Sequence, residues 1–193
     1  MPQIVNKDEI RISIMEAFMR LSAERPLTAI SLRDIASEAG MSHSKILRYF
    51  ENKNALLVSC INWVSRMIID DVAHWFETHR LKDYSCTQEY LDSFFEYFQA
   101  EDKTDLKPRD VVMSCALGAY SPEIKVAVKD AFSNLDELLS QKLSAEFGTA
   151  ISQEEITAVS VLFSGIYFAK FNESIPNGRI CRPVSHMEKL LSR

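Results

Sequence analysis

Residues 31–50 read SLRDIASEAGMSHSKILRYF, two helix patterns of about nine residues each that meet at Ala39-Gly40-Met41. No other feature limits the possible folds of this chain so tightly. Isolated helices shorter than roughly 12–15 residues are marginal in water, so the angle between these two must be fixed by packing. Ser31 can cap the first helix, with Asp34 three residues on completing a capping box in which Asp replaces the usual Glu. Leu32, Ile35, Ala36 and Ala39 form its apolar stripe. Gly40 can take the left-handed conformation that stops a helix without strain. Met41 is an apolar plug, and Ser42 is a new cap for a helix reaching about Phe50. Ile46 and Phe50, four apart, face inward, with Tyr49 at the edge; His43, Ser44, Lys45 and Arg48 are left pointing out. Small Ala36 and Ala39 allow close approach. This is the arrangement a helix-turn-helix requires.

The rest of the chain also has helical spacing. Ile10, Ile14, Phe18 and Leu21 line one face of a helix from about Lys7 to Glu24, ended by Pro26. Asn52 caps a long helix through Leu56, Leu57, Cys60, Ile61, Val64, Met67, Ile68 and Asp71, and the pattern breaks around Leu81–Ser85. Further helices are expected at about Cys86–Gln99, Asp110–Tyr120, Ser121–Phe147 and Ser152–Phe171, with a short last one opened by a Ser185/Glu188 capping box. With only 5 Gly and 6 Pro in 193 residues, the fold class is all-α. A head over residues 1–54 precedes a larger helical body over 55–193. No apolar run reaches the roughly 18 residues that would cross a bilayer. The opening MPQIVNKDEI lacks an apolar core and a cleavage-site pattern. Cys60, Cys86, Cys115 and Cys181 are widely spaced in apolar contexts and read as reduced, mostly buried thiols. A cytoplasmic protein is the expectation.

The formal charge of −5 is unevenly spread. Of 22 Lys/Arg and 27 Asp/Glu, residues 1–54 hold eight and seven, which leaves 14 and 20 for the remainder. Residues 39–50 contain Lys45, Arg48 and His43 and no acid. Phosphate contacts are local, so an acidic body is compatible with a DNA-binding head. The second short helix can present its N-terminal end to the major groove, where an acid would repel phosphate. Lys45 and Arg48 are the candidates for base edges or phosphates. Ser42 caps the helix and is a candidate phosphate contact, and His43 and Ser44 lie at the tip. Lys53 adds charge at the start of the next helix, and Arg33 is a second backbone candidate. Ser31 and Tyr49 complete the candidate set. The alternative is that these charges form a solvated helix face.

The stretch LTAISLRDIASEAGMSHSKILRYFENKNALL, residues 27–57, resembles the N-terminal DNA-binding domain of the tetracycline-repressor (TetR) family. Ile35-Ala36, Ala39-Gly40, Ser42, Tyr49-Phe50 and Lys53 stand where that family carries an Ile-Ala pair, an Ala-Gly turn, a Ser cap, an aromatic-Phe pair and a Lys. Two positions depart from it. Ser44 stands where the family has a small residue, often Gly, and Leu47 where it has an aromatic, usually Tyr. Leu47 cannot donate a hydrogen bond to phosphate. The resemblance implies a three-helix head with a recognition helix at about 42–50, a larger ligand-binding and dimerisation body, and a homodimer on a pseudo-palindromic operator in double-stranded DNA. It also implies a small-molecule effector.

Trp63, Met67, Phe94, Phe98, Met113 and Cys115 are candidates to line an apolar effector cavity, the alternative being that they are core. On the helix from about 122 to 147, Ile124, Val128, Phe132, Leu135 and Leu139 form the stripe. Ala158, Gly165 and Ala169 give the 152–171 helix flat places for close approach. Together the two suit a four-helix bundle across a two-fold axis, the alternative being packing within one chain.

Catalysis would need a clustered nucleophile and base, paired carboxylates, a phosphate loop or a metal motif. None is legible, so no catalytic residue, cofactor or metal is expected. Asp70, Asp71, His74 and His79 are the nearest approach to a metal group, and they lack a Cys or a third spaced ligand. A helical interaction or small-molecule-sensing protein that does not touch DNA is the rival reading. It would not need an acid-free Lys45/Arg48 tip behind a cap.

Overall fold

Spacings of four, four and three between Ile10, Ile14, Phe18 and Leu21 place all four on one face, and helix α1 (Lys7–Glu24) buries them with Met15, Ala17 and Met19. Pro26 cannot continue a helix. It begins a 3-10 turn, Leu27–Ala29, that turns Leu27 and Ile30 into the core. Then follow α2 (Leu32–Glu38), α3 (His43–Tyr49), α4 (Lys53–Thr78), a 3-10 turn at Leu81–Asp83, α5 (Thr87–Gln99), α6 (Pro122–Phe147) and α7 (Gln153–Phe171). The computed structural model describes residues 7–99, 115, 121–148 and 151–171, and every regular element among them is helical. The fold is all-α, with the three-helix head at its N-terminal end. The helix expected at about 110–120 lies outside the described residues apart from Cys115, which is helical. The short helix expected from Ser185 lies outside them too.

The chain forms two compact units. The first contains α1–α3, α4 as far as Ser65 and α6 as far as Ala131; the second contains the remainder of α4 and α6 together with α5 and α7. In the first, Ile14, Phe18, Ile30, Ile35, Ile46 and Leu56 are sealed from water. In the second, aromatic rings make the core. Phe94 lies with its centroid 4.9 Å from Trp75, 5.0 Å from Phe98 and 5.2 Å from Phe163. Tyr90 packs against Trp75 at 5.0 Å. Rings at these separations and tilts attract beyond the area they bury.

Three expectations are corrected. On α6 the buried face runs through Ile124, Ala127, Ala131, Leu135, Leu139 and Leu143, while Val128 and Phe132 are half-buried. The small alanines are turned inward, and the bulkier pair is rotated to the edge. Cys86 is exposed, because it precedes the first turn of α5 and the buried run begins only at Tyr90. Met67 is 40% exposed on α4, whereas Val64 and Val72 carry that helix's buried face. A capping box at Ser152 and Glu155 opens α7: the Ser152 N–H donates to Glu155 Oε2 at 2.7 Å, and the Glu155 N–H donates to Ser152 Oγ at 3.3 Å. The Ser-Gln-Glu-Glu spacing carries that signal in the sequence.

Candidate nucleic-acid interface

The turn between α2 and α3 is built from local chemistry. The Ser31 hydroxyl accepts from the Asp34 N–H at 3.2 Å, while the Ser31 N–H and hydroxyl donate to Asp34 Oδ2 at 2.7 and 2.6 Å. These bonds, the hydroxyl's first, hold the Asp34 carboxyl below its ordinary range, with Arg25 adding to the effect. At the other end Gly40 adopts φ +62°, so that its N–H reaches the Ser37 carbonyl at 3.1 Å and the Met41 N–H reaches the Ala36 carbonyl at 2.8 Å. This Schellman pair satisfies carbonyls that a helix end leaves open. A Cβ at Gly40 would meet nothing within 4 Å, so the demand for glycine is conformational rather than steric. Ser42 then caps α3 by accepting from the Lys45 N–H at 3.2 Å.

Ile46 and Phe50 are buried, which fixes the rotation of α3. Ser44, Leu47 and Arg48 form its outermost strip, and His43, Lys45 and Tyr49 stand half-buried at its two edges. Leu47, 43% exposed, lies in the middle of that outward strip. Ser31, Arg33 and Ser42 are exposed.

The basic residues of the head divide into two groups. Arg20 pairs with Glu38 at 2.7 Å and Arg25 with Asp34 at 3.8 Å. Lys53 Nζ donates to the Leu27 carbonyl, and partial burial lowers its pKa; its ammonium is directed into the head. Arg11 Nη1 donates to the Tyr49 carbonyl at 2.9 Å and Nη2 to Ser59 Oγ at 3.1 Å, with the guanidinium 4.5 Å above the Phe50 ring. Arg33, Lys45 and Arg48, like Lys7 at the start of α1, have no carboxylate or hydrogen-bond partner for their side chains among the described residues. The structure thus separates cations that hold the head together from cations that face solvent beside α3. Arg11 escaped the sequence reading because its partners lie 38 and 48 positions away.

The effector candidates divide between the units. Trp63, half-buried, and Cys115, buried, belong to the first; Met67, Phe94 and Phe98 belong to the second, and Met113 lies outside the described residues. Phe94 and Phe98 are packed within the aromatic core. A concavity of about 580 Å³ is lined by Arg80, Leu81, Lys82 and Glu146. Another of about 260 Å³ is lined by α6 and α7, through Phe132, Leu135, Asp136, Leu139, Thr157, Ser160, Val161 and Ser164. Neither is lined by any of the five described candidates. Burial pushes the Cys60 thiol well above its ordinary value and that of Cys115 up to about 11, so both stay protonated at neutral pH. Asp70, Asp71 and His74 are exposed on α4, whereas His79 stacks on Trp75 at 4.6 Å.

Two short capped helices at a glycine turn, with the second presenting Lys45 and Arg48 at its outer side, define a helix-turn-helix DNA-binding domain. Residues 14–60 match the family model described as bacterial regulatory proteins, tetR family. Over 72 residues the chain is 32% identical to the HTH-type transcriptional regulator PksA of Bacillus subtilis (strain 168), a match covering 37% of this chain and 35% of that relative's length. The fold is similar to the reduced form of NemR from E. coli, with a TM-score of 0.68 and 15% identity over 86% of this chain and 87% of that one. It is also similar to Salmonella enterica GusR, with a TM-score of 0.66 and 17% identity over 86% of this chain and 84% of that one. Residues 14–60 thus form a DNA-binding head of the kind described for the tetR family of bacterial regulatory proteins.

Proposed function

We propose that this chain is a ligand-responsive transcriptional repressor that binds a pseudo-palindromic operator as a homodimer, with α3 entering the major groove. The observation that carries this reading is the division of the head's cations: among the described residues, the side chains of Arg33, Lys45 and Arg48 have no partner, while Arg11, Arg20, Arg25 and Lys53 are engaged within the head. Lys45 and Arg48 contact base edges or phosphates, Ser42, His43 and Ser44 meet the duplex at the tip, and Arg33 contacts the backbone. Tyr49 stands at the edge of the interface. Ser31 and Lys53 serve it mainly by fixing α2 and the start of α4.

The dimer forms through α6 and α7. The 260 Å³ groove between them, the half-buried Phe132 and the 65% exposure of Val161 support this, since an apolar surface of that kind gains by being covered. A two-fold axis there would set two α3 helices about 34 Å apart, one turn of DNA. An apolar effector taken up by the body would shift α4 and move the heads out of register, with a coupling of about 1–3 kcal/mol. None of the described helices is long and apolar enough to cross a membrane, and a cytoplasmic site of action fits an operator as target.

The test is the double variant Lys45→Ala/Arg48→Ala. Each good base contact contributes about 1–3 kcal/mol, so operator affinity should fall roughly 30-fold or more, with the helical circular dichroism and melting temperature unchanged. The duplex to use is the intergenic segment beside the protein's own gene that wild-type protein protects. Wild-type retention of that duplex by the double variant, across a salt titration, would refute the assignment.

A further inference from the structure

The Arg11 side chain reaches from α1 to the end of α3. The last carbonyls of a helix lack partners within it. In α3 the Ile46 carbonyl is taken by the Phe50 N–H at 2.9 Å, and the Tyr49 carbonyl is taken by Arg11 Nη1 at 2.9 Å. A cation at that end also suits the negative pole of the helix dipole. The other arm of the guanidinium donates to Ser59 Oγ on α4 at 3.1 Å, and its face lies 4.5 Å over the ring of Phe50, the residue that ends α3. A planar fork with several fixed donors can meet three such demands at once; an ammonium cannot. Arg11 is half-buried, so this site is not open to a phosphate.

From this geometry we infer that Arg11 is the positioning residue of the recognition helix. It ties the end of α3 to α1 and α4 and thereby sets the tilt at which Lys45 and Arg48 meet the groove. The glycine turn and the Ser42 cap fix the start of α3; farther along it is held by the apolar seats of Ile46 and Phe50, and apolar contact is non-directional. With seven residues, α3 has too few turns for those two seats to fix its tilt unaided. Base readout depends on that tilt, whereas non-specific attraction to phosphate does not. The inference rests on the DNA-binding reading above and adds which internal contact makes that binding selective.

The experiment compares full-length wild-type protein with Arg11→Met, Arg11→Lys and Ser59→Ala on two probes. One is a duplex that the wild-type protein selects from a randomised pool; the other is poly(dI-dC). Arg11→Met keeps a stem over Phe50 and loses both hydrogen bonds. It should bind the selected duplex about tenfold more weakly or worse, with poly(dI-dC) affinity and the salt slope within about twofold of wild type. Arg11→Lys, which keeps the charge and can still reach the Tyr49 carbonyl, should recover about threefold of that loss. Ser59→Ala should lose about two- to threefold. Should Arg11→Met melt below the assay temperature, Arg11→Lys and Ser59→Ala carry the comparison, and a wild-type ratio of selected to non-specific affinity in both overturns the inference. So does an Arg11→Met protein that keeps the wild-type ratio, or one that loses both affinities in equal proportion. A wild-type protein that selects no sequence removes the DNA-binding reading itself, and this inference with it.

Discussion

In the first unit, two helices of seven residues each are ordered by side chains that cap them and by a glycine that turns the chain between them. In the second, α5, α7 and the later part of α4 are ordered by Trp75, Phe76, Tyr90, Phe94, Phe98 and Phe163 packing ring on ring. The head needs fixed angles at an exposed surface, and directional hydrogen bonds supply angles. The body needs a large apolar contact between long elements, and aromatic area supplies that without demanding a particular local motif. One chain thus uses directional bonds where geometry must be exact at the surface and apolar area where bulk stability is required.

The contrast can be broken by substitution. Phe94, 1% exposed, is the centre of the body's cluster, and Phe94→Ala should cost about 3–5 kcal/mol in urea unfolding through the cavity it leaves. Gly40→Ala introduces no clash and only forces a side chain into the left-handed region, so it should cost about 1–2 kcal/mol. It should also disturb operator binding more than Phe94→Ala does under conditions where both are folded. Equal costs, or a larger binding defect from Phe94→Ala, would erase the distinction between the two regions.

The smallest expected effect is a pH dependence. The folded-state pKa of Asp34 is depressed, so its contribution is present above the ordinary value of 3.8 and is lost as pH falls below that value. Ser31→Ala removes the hydroxyl that is the largest cause of the depression. Urea midpoints of wild type and Ser31→Ala should therefore differ most near neutrality and draw closer below pH 3.8, leaving the pH-independent share of the cap bond from the Asp34 N–H. A gap that stays constant through that range would show that the capping box does not act through the ionised carboxylate.

Much of the head was legible because its determinants are close neighbours in sequence. Ser31 with Asp34, Gly40, Ser42 and Asn52 fall at the positions where structured ends occur, and α1 has its expected bounds. The body was legible only as helices. Its buried faces were harder to assign: Ala127 and Ala131, not Val128 and Phe132, lie inside α6, because packing partners rather than hydrophobicity choose the rotation of a long helix. Trp75 and Phe163, absent from the effector candidates, prove to share the aromatic core with Phe94. Nothing in their spacing links α4, α5 and α7.

By itself the sequence determined where helices start and stop, because a cap, a proline or a glycine acts on the few backbone groups beside it. Tertiary structure alone decided what each charge is for. Arg11 and Arg48 are the same residue type in neighbouring helices, yet Arg11 is bound to a carbonyl 38 positions away and Arg48 faces solvent. A guanidinium's role follows from which acceptors folding brings within reach, and that distance exists only once the chain has folded.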